Sequence, residues 1–189
     1  VSMKKRVVSL LMALMLLMSL LPTGVMAAGG DWTYAPGAEE APGTLTQGDI
    51  VLNVTANGTD LTITGYQNIG SGAIDLTGTI TDDEGGSYTI TAIGERAFES
   101  CAGLKSIVLP DGLTGINYNA FYNCTGLQSI HIPESVTFIG ASAFRYCSSI
   151  TSIVIPSGIT TLNQDLFSGC DSLSLIVLPD GLTEINSSA

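Results

Sequence analysis

Four cysteines and a single histidine are the residues of this sequence with the most reactive side chains. The cysteines are evenly spaced, 23 residues apart, at Cys101, Cys124, Cys147 and Cys170. Thiols can pair as disulfides, bind zinc together with histidine, or act as nucleophiles beside a histidine base. Each of these chemistries requires side chains that converge, so the elements that carry the cysteines decide between them.

The cysteines belong to a 23-residue period that organises the second half of the chain. Phenylalanine, proline and aliphatic residues recur in the same phase without an insertion or a deletion. The repeated phenylalanines are Phe98, Phe121, Phe144 and Phe167. A unit of this length cannot bury its apolar face alone, so successive units must stack on one another. We therefore predict a solenoid whose structural core contains the phenylalanine and cysteine columns.

Each unit predicts a short strand, a turn, a second extended stretch and one helical turn. Ile107 and Leu109 alternate as in a strand, which Pro110 ends because proline has no N–H for a ladder. Ala120 and Cys124 lie four residues apart, so one helical turn would direct both inward. The predicted fold class is an α/β repeat, with a parallel β-sheet and short helical turns.

Stacking in register argues against reactive chemistry at the cysteines. Equivalent residues would lie roughly 5 Å apart with parallel side chains, whereas a disulfide needs Cβ atoms that converge to about 3.8 Å. A zinc site needs paired short spacings, which intervals of 23 residues do not supply. We predict a column of buried free thiols, with disulfides and metal binding as the alternatives.

The sequence predicts no catalytic residue and no cofactor. His131 follows Ile130 on a predicted strand and faces outward, whereas Cys124 faces inward, so the two cannot form a nucleophile–base pair. The run Asp-Asp-Glu-Gly-Gly over residues 82–86 could bind calcium, but it lacks an alternating ligand spacing and fits an acidic turn. We expect that the protein is not an enzyme and holds no metal.

The charge of the chain argues against nucleic acids and anionic lipids as partners. The chain has 6 Lys and Arg against 17 Asp and Glu, a net charge of −11. Half of the basic residues are Lys4, Lys5 and Arg6, at the start. Binding to polyanions through counterion release requires clustered basic residues, which the remainder of the chain lacks.

The first half of the chain predicts a leader, a linker and a cap. Residues 1–27 combine a basic start, an apolar run and small residues near a cleavage site, the pattern of a secretory signal peptide. The apolar run is too short for a stable transmembrane anchor. Residues 28–48 are rich in Gly, Pro, Ala and Glu and predict a flexible linker with incidental aromatic residues. Residues 49–89 predict a β-rich cap on the repeats of residues 90–189.

The repeat frame resembles the BspA-type leucine-rich repeat. The unit over residues 93–110 reads IGERAFESCAGLKSIVLP, and the same frame recurs over residues 139–156. The resemblance covers about residues 88–189. It implies a leucine-rich-repeat solenoid in an extracellular or cell-surface protein, often bacterial, that binds host proteins or other cells. It brings no catalytic residues.

We expect a secreted or cell-surface protein that acts as a protein-interaction or adhesion module. The partner would be a protein, such as a host extracellular or surface protein, or another cell-surface ligand. The alternative is a structural spacer or stalk of a longer multidomain surface protein. The last repeat copy stops one residue before its expected phenylalanine, which favours a fragment of a longer protein over an end capped by self-association.

Two faces of the predicted solenoid could bind a partner. One is the turn side, which carries Tyr118, Tyr122 and Tyr146. The other is the sheet face, which we favour because a flat strip of β-positions can accommodate an extended partner. The candidate residues of the sheet face are Ser106, Val108, Ser129, His131, Ser152, Val154, Leu175 and Val177.

Overall fold

A computed structural model describes residues 30–37, 42–70 and 72–189, so the predicted signal peptide over residues 1–27 lies outside the described residues. The described residues form fifteen β-strands and no helix, and hence none that could cross a membrane. In chain order the strands are β1 (Trp32–Ala35), β2 (Gly43–Gln47), β3 (Ile50–Asn57), β4 (Asp60–Ile69), β5 (Ala73–Asp75), β6 (Ile80–Thr81), β7 (Ser87–Ile93), β8 (Ser106–Val108), β9 (Gly115–Ile116), β10 (Ser129–His131), β11 (Phe138–Ile139), β12 (Ser152–Val154), β13 (Thr161–Leu162), β14 (Leu175–Val177) and β15 (Glu184–Ile185).

The N-terminal strands close into a ring. Strands β1 to β4 pair in succession as antiparallel neighbours, and β4 then pairs with β7 in the parallel direction. The short strand β6 pairs with both β1 and β7, which completes a ring of six strands. Strands β9 and β11 continue the sheet from β7 into the repeats. Closure leaves the ring without a free strand edge, which is the part of a sheet most open to pairing with other chains.

The prediction of a flexible linker over residues 28–48 is wrong for the described part of that range. Strands β1 and β2 lie within it. Trp32 is fully buried, and its indole Nε1 donates a hydrogen bond to the carbonyl of Asp75 at 3.0 Å. Tyr34 and Leu45 are buried as well. Alternate side chains of β1 and β2 fill the interior of the ring, and this need for core residues outweighs a composition that is typical of linkers.

Strand β4 carries the contact between the cap and the first repeat. The N–H of Gly94 donates to the carbonyl of Ile63 at 2.7 Å. A Cβ atom at Gly94 would lie 2.6 Å from that oxygen, so the close approach requires glycine. Further along β4, the ring of Tyr66 stacks on Phe98, which lies in the turn segment after Gly94, with ring centroids 6.0 Å apart. The strands within residues 49–89 thereby cover the apolar face of the first repeat.

The repeats place strands on two faces and turns on a third. On the first strand face β5, β8 and β10 pair in parallel, and β12 pairs with β14. On the second strand face β7, β9 and β11 pair in parallel, and β13 pairs with β15. These pairings between repeats join residues 23 positions apart, for example Ile107 with Ile130. Strand β5 comes from the segment predicted as cap, but its register with β8 makes it the first strand of this face.

The third face consists of consecutive turns, and the predicted helical turn is wrong. Arg96 and Ser100 have left-handed φ angles of 57° and 58°, which interrupt a right-handed helix every fourth residue. The N–H groups of Arg96, Phe98 and Ser100 donate to carbonyls of the next repeat at 3.0, 2.8 and 2.7 Å, whereas those of Ala97 and Cys101 donate three residues back. An α-helix could not make the bonds between repeats, because its own turns use those N–H groups. The corresponding left-handed positions in later repeats are Asn119, Asn123, Ser142, Tyr146, Asp165 and Gly169.

The phenylalanine column forms the centre of the repeat core. Successive rings are nearly parallel, with centroids 5.3, 5.5 and 5.9 Å apart. The members of the column are Phe98, Phe121, Phe144 and Phe167, and all four are buried. Because each ring contacts the one before it and the one after it, every repeat contributes one layer to a continuous stack.

Replacement of Phe121 by Ala should lower the free energy of unfolding by about 3–5 kcal/mol, because it removes a ring from the middle of the stack and leaves a cavity. Urea denaturation followed by circular dichroism measures the change. The matched control is Phe138→Ala, since Phe138 is 37% exposed on the second strand face and should cost much less. Equal losses in the two variants would contradict the central role of the stack.

Candidate functional site

The cysteine column is a structural feature of the core. All four cysteines are free and buried. The thiols of Cys124, Cys147 and Cys170 donate hydrogen bonds to the carbonyls of Phe98, Phe121 and Phe144, each in the preceding repeat, at 2.9, 3.0 and 3.0 Å. A thiol is a weak donor, and here it adds a second hydrogen bond to a carbonyl that already accepts the N–H of the cysteine in its own repeat, for example Cys101 to Phe98 at 3.1 Å. The column therefore adds one further bond between neighbouring repeats.

Burial makes these thiols poor nucleophiles. It raises the pKa of the Cys170 thiol to about 12, and it raises the pKa of Cys101 as well. The thiolate, which is the reactive form of cysteine, is therefore scarce at neutral pH for these two residues. His131 lies exposed on β10, whereas Cys124 is fully buried, so the structure does not bring together a thiol and a histidine base.

The acidic run over residues 82–86 forms a turn that Asp82 closes. Its carboxylate accepts hydrogen bonds from the N–H of Gly86 at 2.7 Å, the N–H of Glu84 at 3.0 Å and the hydroxyl of Tyr88 at 2.7 Å. The bond from Tyr88 and those from the backbone lower the pKa of Asp82, since they stabilise its charged form. These donors occupy the carboxylate oxygens, which supports an acidic turn over a calcium site.

The favoured sheet face carries two columns of outward side chains. The residues lie on either side of a central isoleucine, which is buried in β8, β10 and β12 and exposed in β14, and parallel register aligns them within the pairs β8–β10 and β12–β14. The first column is Ser106, Ser129, Ser152 and Leu175, and the second is Val108, His131, Val154 and Val177. Only Ser152 is buried, at 8% exposure, and the rest are half-buried or exposed. The eight residues together form a narrow, mildly apolar strip.

Sequence reasoning missed the first strand of this face. Ala73 pairs with Ser106, and Asp75 pairs with Val108, so β5 extends both columns by one position. The sequence Ala-Ile-Asp-Leu over residues 73–76 has the same spacing of buried residues as Ser-Ile-Val-Leu in the first repeat, and that similarity could have identified it. The extension places a carboxylate at one end of an otherwise uncharged strip.

The three tyrosines of the turn side take part in two aromatic pairs, one between two tyrosines and one between a tyrosine and Phe138. Tyr122 and Tyr146 meet edge to face with centroids 5.6 Å apart, and Arg145 lies over the Tyr146 ring at 4.9 Å. Tyr118 instead meets Phe138, at 5.8 Å. Phe138 was not among the predicted site residues, because its column has no other aromatic member. Its neighbourhood is a separate candidate site.

A cleft lies next to Phe138 on the second strand face, between β11 and β13. Its volume is about 270 Å³, and two isoleucines lie among its lining residues. The other lining residues are Thr137, Phe138, Thr160, Thr161 and Asn163. The described residues therefore contain two candidate binding surfaces, the sheet face and this β11–β13 cleft.

The comparisons with known proteins agree on the repeat type. The family described as the BspA type leucine rich repeat region matches residues 83–189 in six copies. The chain is similar to the crystal structure of a leucine rich cell surface protein from Faecalibacterium prausnitzii, with 30% identity and a TM-score of 0.59 over 79% of this chain. It is also similar to a leucine-rich repeat protein from Bacteroides capillosus, with 28% identity and a TM-score of 0.60 over 71% of this chain.

The similar proteins differ in how much of their own length the chain spans. It covers 97% of the B. capillosus structure but only 46%, about half, of the F. prausnitzii structure. No curated protein matches the chain. The two solved structures therefore support a leucine-rich-repeat fold.

The denatured chain should contain four free thiols in the absence of reductant, because all four cysteines are unpaired and buried in the folded chain. Titration with a chromogenic disulfide reagent, before and after addition of urea, measures this number. The folded chain should react slowly, since the thiols are buried. A count below four in the denatured chain would show that bridges form.

Stability should fall as the pH rises above about 8.5. The Cys170 thiol titrates near 8.5 when exposed but at about 12 in the folded chain, so above pH 8.5 the unfolded state binds fewer protons. The contribution of the protonated Cys170 thiol to the free energy of unfolding is fully present below about pH 8.5 and is lost as the pH rises toward 12. Urea denaturation at increasing pH measures the slope, and Cys170→Ala should make it shallower. An unchanged slope in that variant would contradict the assignment to this thiol.

Proposed function

The chain belongs to the BspA-type leucine-rich repeat family, and from this we propose that it is a secreted or cell-surface protein that binds another protein through its sheet face. The observation that carries the proposal is the strip of sheet-face residues, in which parallel pairing aligns β8 with β10 and β12 with β14, and seven of the eight side chains are half-buried or exposed. A face built from aligned columns presents the same kind of side chain at regular intervals, which suits a long partner segment.

The chemistry of the sheet face favours a protein partner. Val108, Val154 and Val177 offer apolar contacts, and the serine hydroxyls beside them can donate and accept hydrogen bonds. The strands are short and packed edge to edge in the sheet, so their side chains are held with little conformational freedom. Such a surface supports recognition by shape and apolar contact, and the acidic chain does not favour a polyanion.

Export to the cell surface is part of the same proposal. The pattern of a signal peptide over residues 1–27 supports secretion. The similar protein from F. prausnitzii is a cell surface protein, which supports the same location for this chain. This chain spans about half the length of that protein. The activity of the whole protein is therefore also part of the proposal.

A structural spacer or stalk is the second candidate function. The observation that favours it is the uninterrupted stack of rings from Tyr66 to Phe167, together with the backbone bonds that join the turns of successive repeats. Such a stack would hold a further domain at a fixed distance. The two candidates differ in one respect, because a spacer does not depend on the side chains of the sheet face.

Replacement of Val108, Val154 and Val177 together by Glu should abolish binding to a protein ligand, because three carboxylates would have to be desolvated in the interface. The purified chain and the variant are compared for adhesion to cultured epithelial cells and to immobilised extracellular-matrix proteins. Stability should change little, since all three side chains lie on the outer face.

The matched control is the triple variant Ala102→Glu, Thr125→Glu and Ser148→Glu, which adds the same charge on the turn side. Asp171 occupies the equivalent position of the fourth repeat, so this column tolerates a carboxylate. The control should bind as the unmodified chain does. Equal binding by both triple variants would reject the sheet face, and no adhesion by the unmodified chain would favour the spacer.

A further inference from the structure

The second strand face has one interruption, and a cleft lies at it. Along this face β7, β9 and β11 form one ladder, and β13 and β15 form another. The β11–β13 cleft lies between the two ladders and has a volume of about 270 Å³. We propose that this cleft is a binding site for a neutral saccharide, in which Phe138 stacks on a sugar ring and the polar groups of the cleft bind its hydroxyls.

The backbone bonds that join repeats on this face are missing at the cleft. At the preceding junction the N–H of Thr137 donates to the carbonyl of Thr114 at 3.0 Å, and the following junction has the equivalent bond at 2.8 Å. At the cleft itself, within residues 72–189, the N–H of Thr160 makes no such bond to Thr137. The Nδ2 of Asn163 instead donates across the junction to the carbonyl of Ile139 at 2.7 Å. The N–H of Thr160 and the carbonyl of Thr137 are therefore a backbone donor and a backbone acceptor that a ligand in the cleft can use.

Phe138 supplies an aromatic platform at the rim of the cleft. The side chain is 37% exposed, and the edge-to-face contact with Tyr118 fixes its orientation. Its partner on the neighbouring strand is Gly115, which has no side chain to pack beside the ring. The C–H groups of a sugar ring carry slight positive charge, as an aromatic edge does, and are attracted to an aromatic face in the same way.

The charge of the cleft selects among ligand classes. Its lining residues are uncharged, and the nearby carboxylate is that of Glu184, which lies 3.4 Å from the hydroxyl of Thr161. An anionic ligand would meet this carboxylate without a basic partner, and a cation would have no counter-charge within the lining. The threonine hydroxyl oxygens and the Oδ1 of Asn163 can accept hydrogen bonds and the N–H of Thr160 can donate one, and sugar hydroxyls both donate and accept. A neutral saccharide fits this combination.

The size of the cleft indicates how much of a saccharide it holds. A volume of about 270 Å³ lies just below the range of small-molecule pockets, which begins near 300 Å³. The cleft therefore receives one sugar unit, and the rest of a longer glycan extends over the strand face. The cleft and the sheet face are independent surfaces, because they lie on different faces of the repeats and consist of different residues.

To test the proposal, the purified chain is screened for binding on an array of neutral and acidic glycans. The affinity of each neutral saccharide that binds is then measured by titration. Two-dimensional NMR should show shifts of the Thr160 and Asn163 amides at saturation. Phe138→Ala should weaken binding roughly tenfold or more, since it removes the stacking platform, and Phe138→Tyr should retain it. Thr161→Val, which removes a hydroxyl at similar volume, should weaken binding several-fold.

The control is Tyr146→Ala, because Tyr146 is a comparably exposed aromatic residue, at 40%, outside the cleft lining. This variant should bind the saccharide as the unmodified chain does. The proposal is overturned if no neutral glycan binds, if binding survives Phe138→Ala, or if only acidic glycans bind. Occupation of the cleft by a peptide in place of a saccharide would overturn it as well.

Discussion

The backbone hydrogen bonds between the turns of successive repeats are the interaction on which the rest of the structure depends. Alternate N–H groups of each turn segment donate to the next repeat, and those between them donate three residues back. This arrangement requires a left-handed residue at regular intervals, as at Arg96 and Ser100. It locks each repeat to its neighbour in one register. The phenylalanine stack, the thiol bonds and the outward columns all follow from that register, because each consists of equivalent residues brought side by side.

The same interaction explains why the turn face could not be read correctly from the sequence. Ala120 and Cys124 are both fully buried, as a helical turn would place them. An apolar pair with this spacing is also satisfied by two consecutive turns, so the pattern alone does not distinguish the two. The distinction depends on where the N–H groups bond, and their acceptors lie one repeat further along the chain. A bond of that range leaves no signal within a window of six residues.

The cap shows the opposite error, in which composition concealed structure. Residues rich in glycine and proline surround β1 and β2, yet Trp32 and Leu45 lie fully buried inside the ring of strands. Their burial depends on partners far along the chain, such as the carbonyl of Asp75 that accepts the Trp32 indole bond. A closed ring needs all of its strands, and for this reason two short segments gain an ordered role that their own composition does not predict.

The sequence by itself determined the repeat type and the residues of the core columns, and it placed the sheet-face residues on the surface with the exception of Ser152, which is buried. It could do so because a residue that recurs in phase meets its own equivalents in any stack, whatever the path of the chain between them. Only the tertiary structure decided the closure of the cap, the addition of β5 to the sheet face and the interruption between β11 and β13. These features depend on distances between segments that no shared period links. Phe138 became a candidate site residue only through its contact with Tyr118 and the open strand edge beside it.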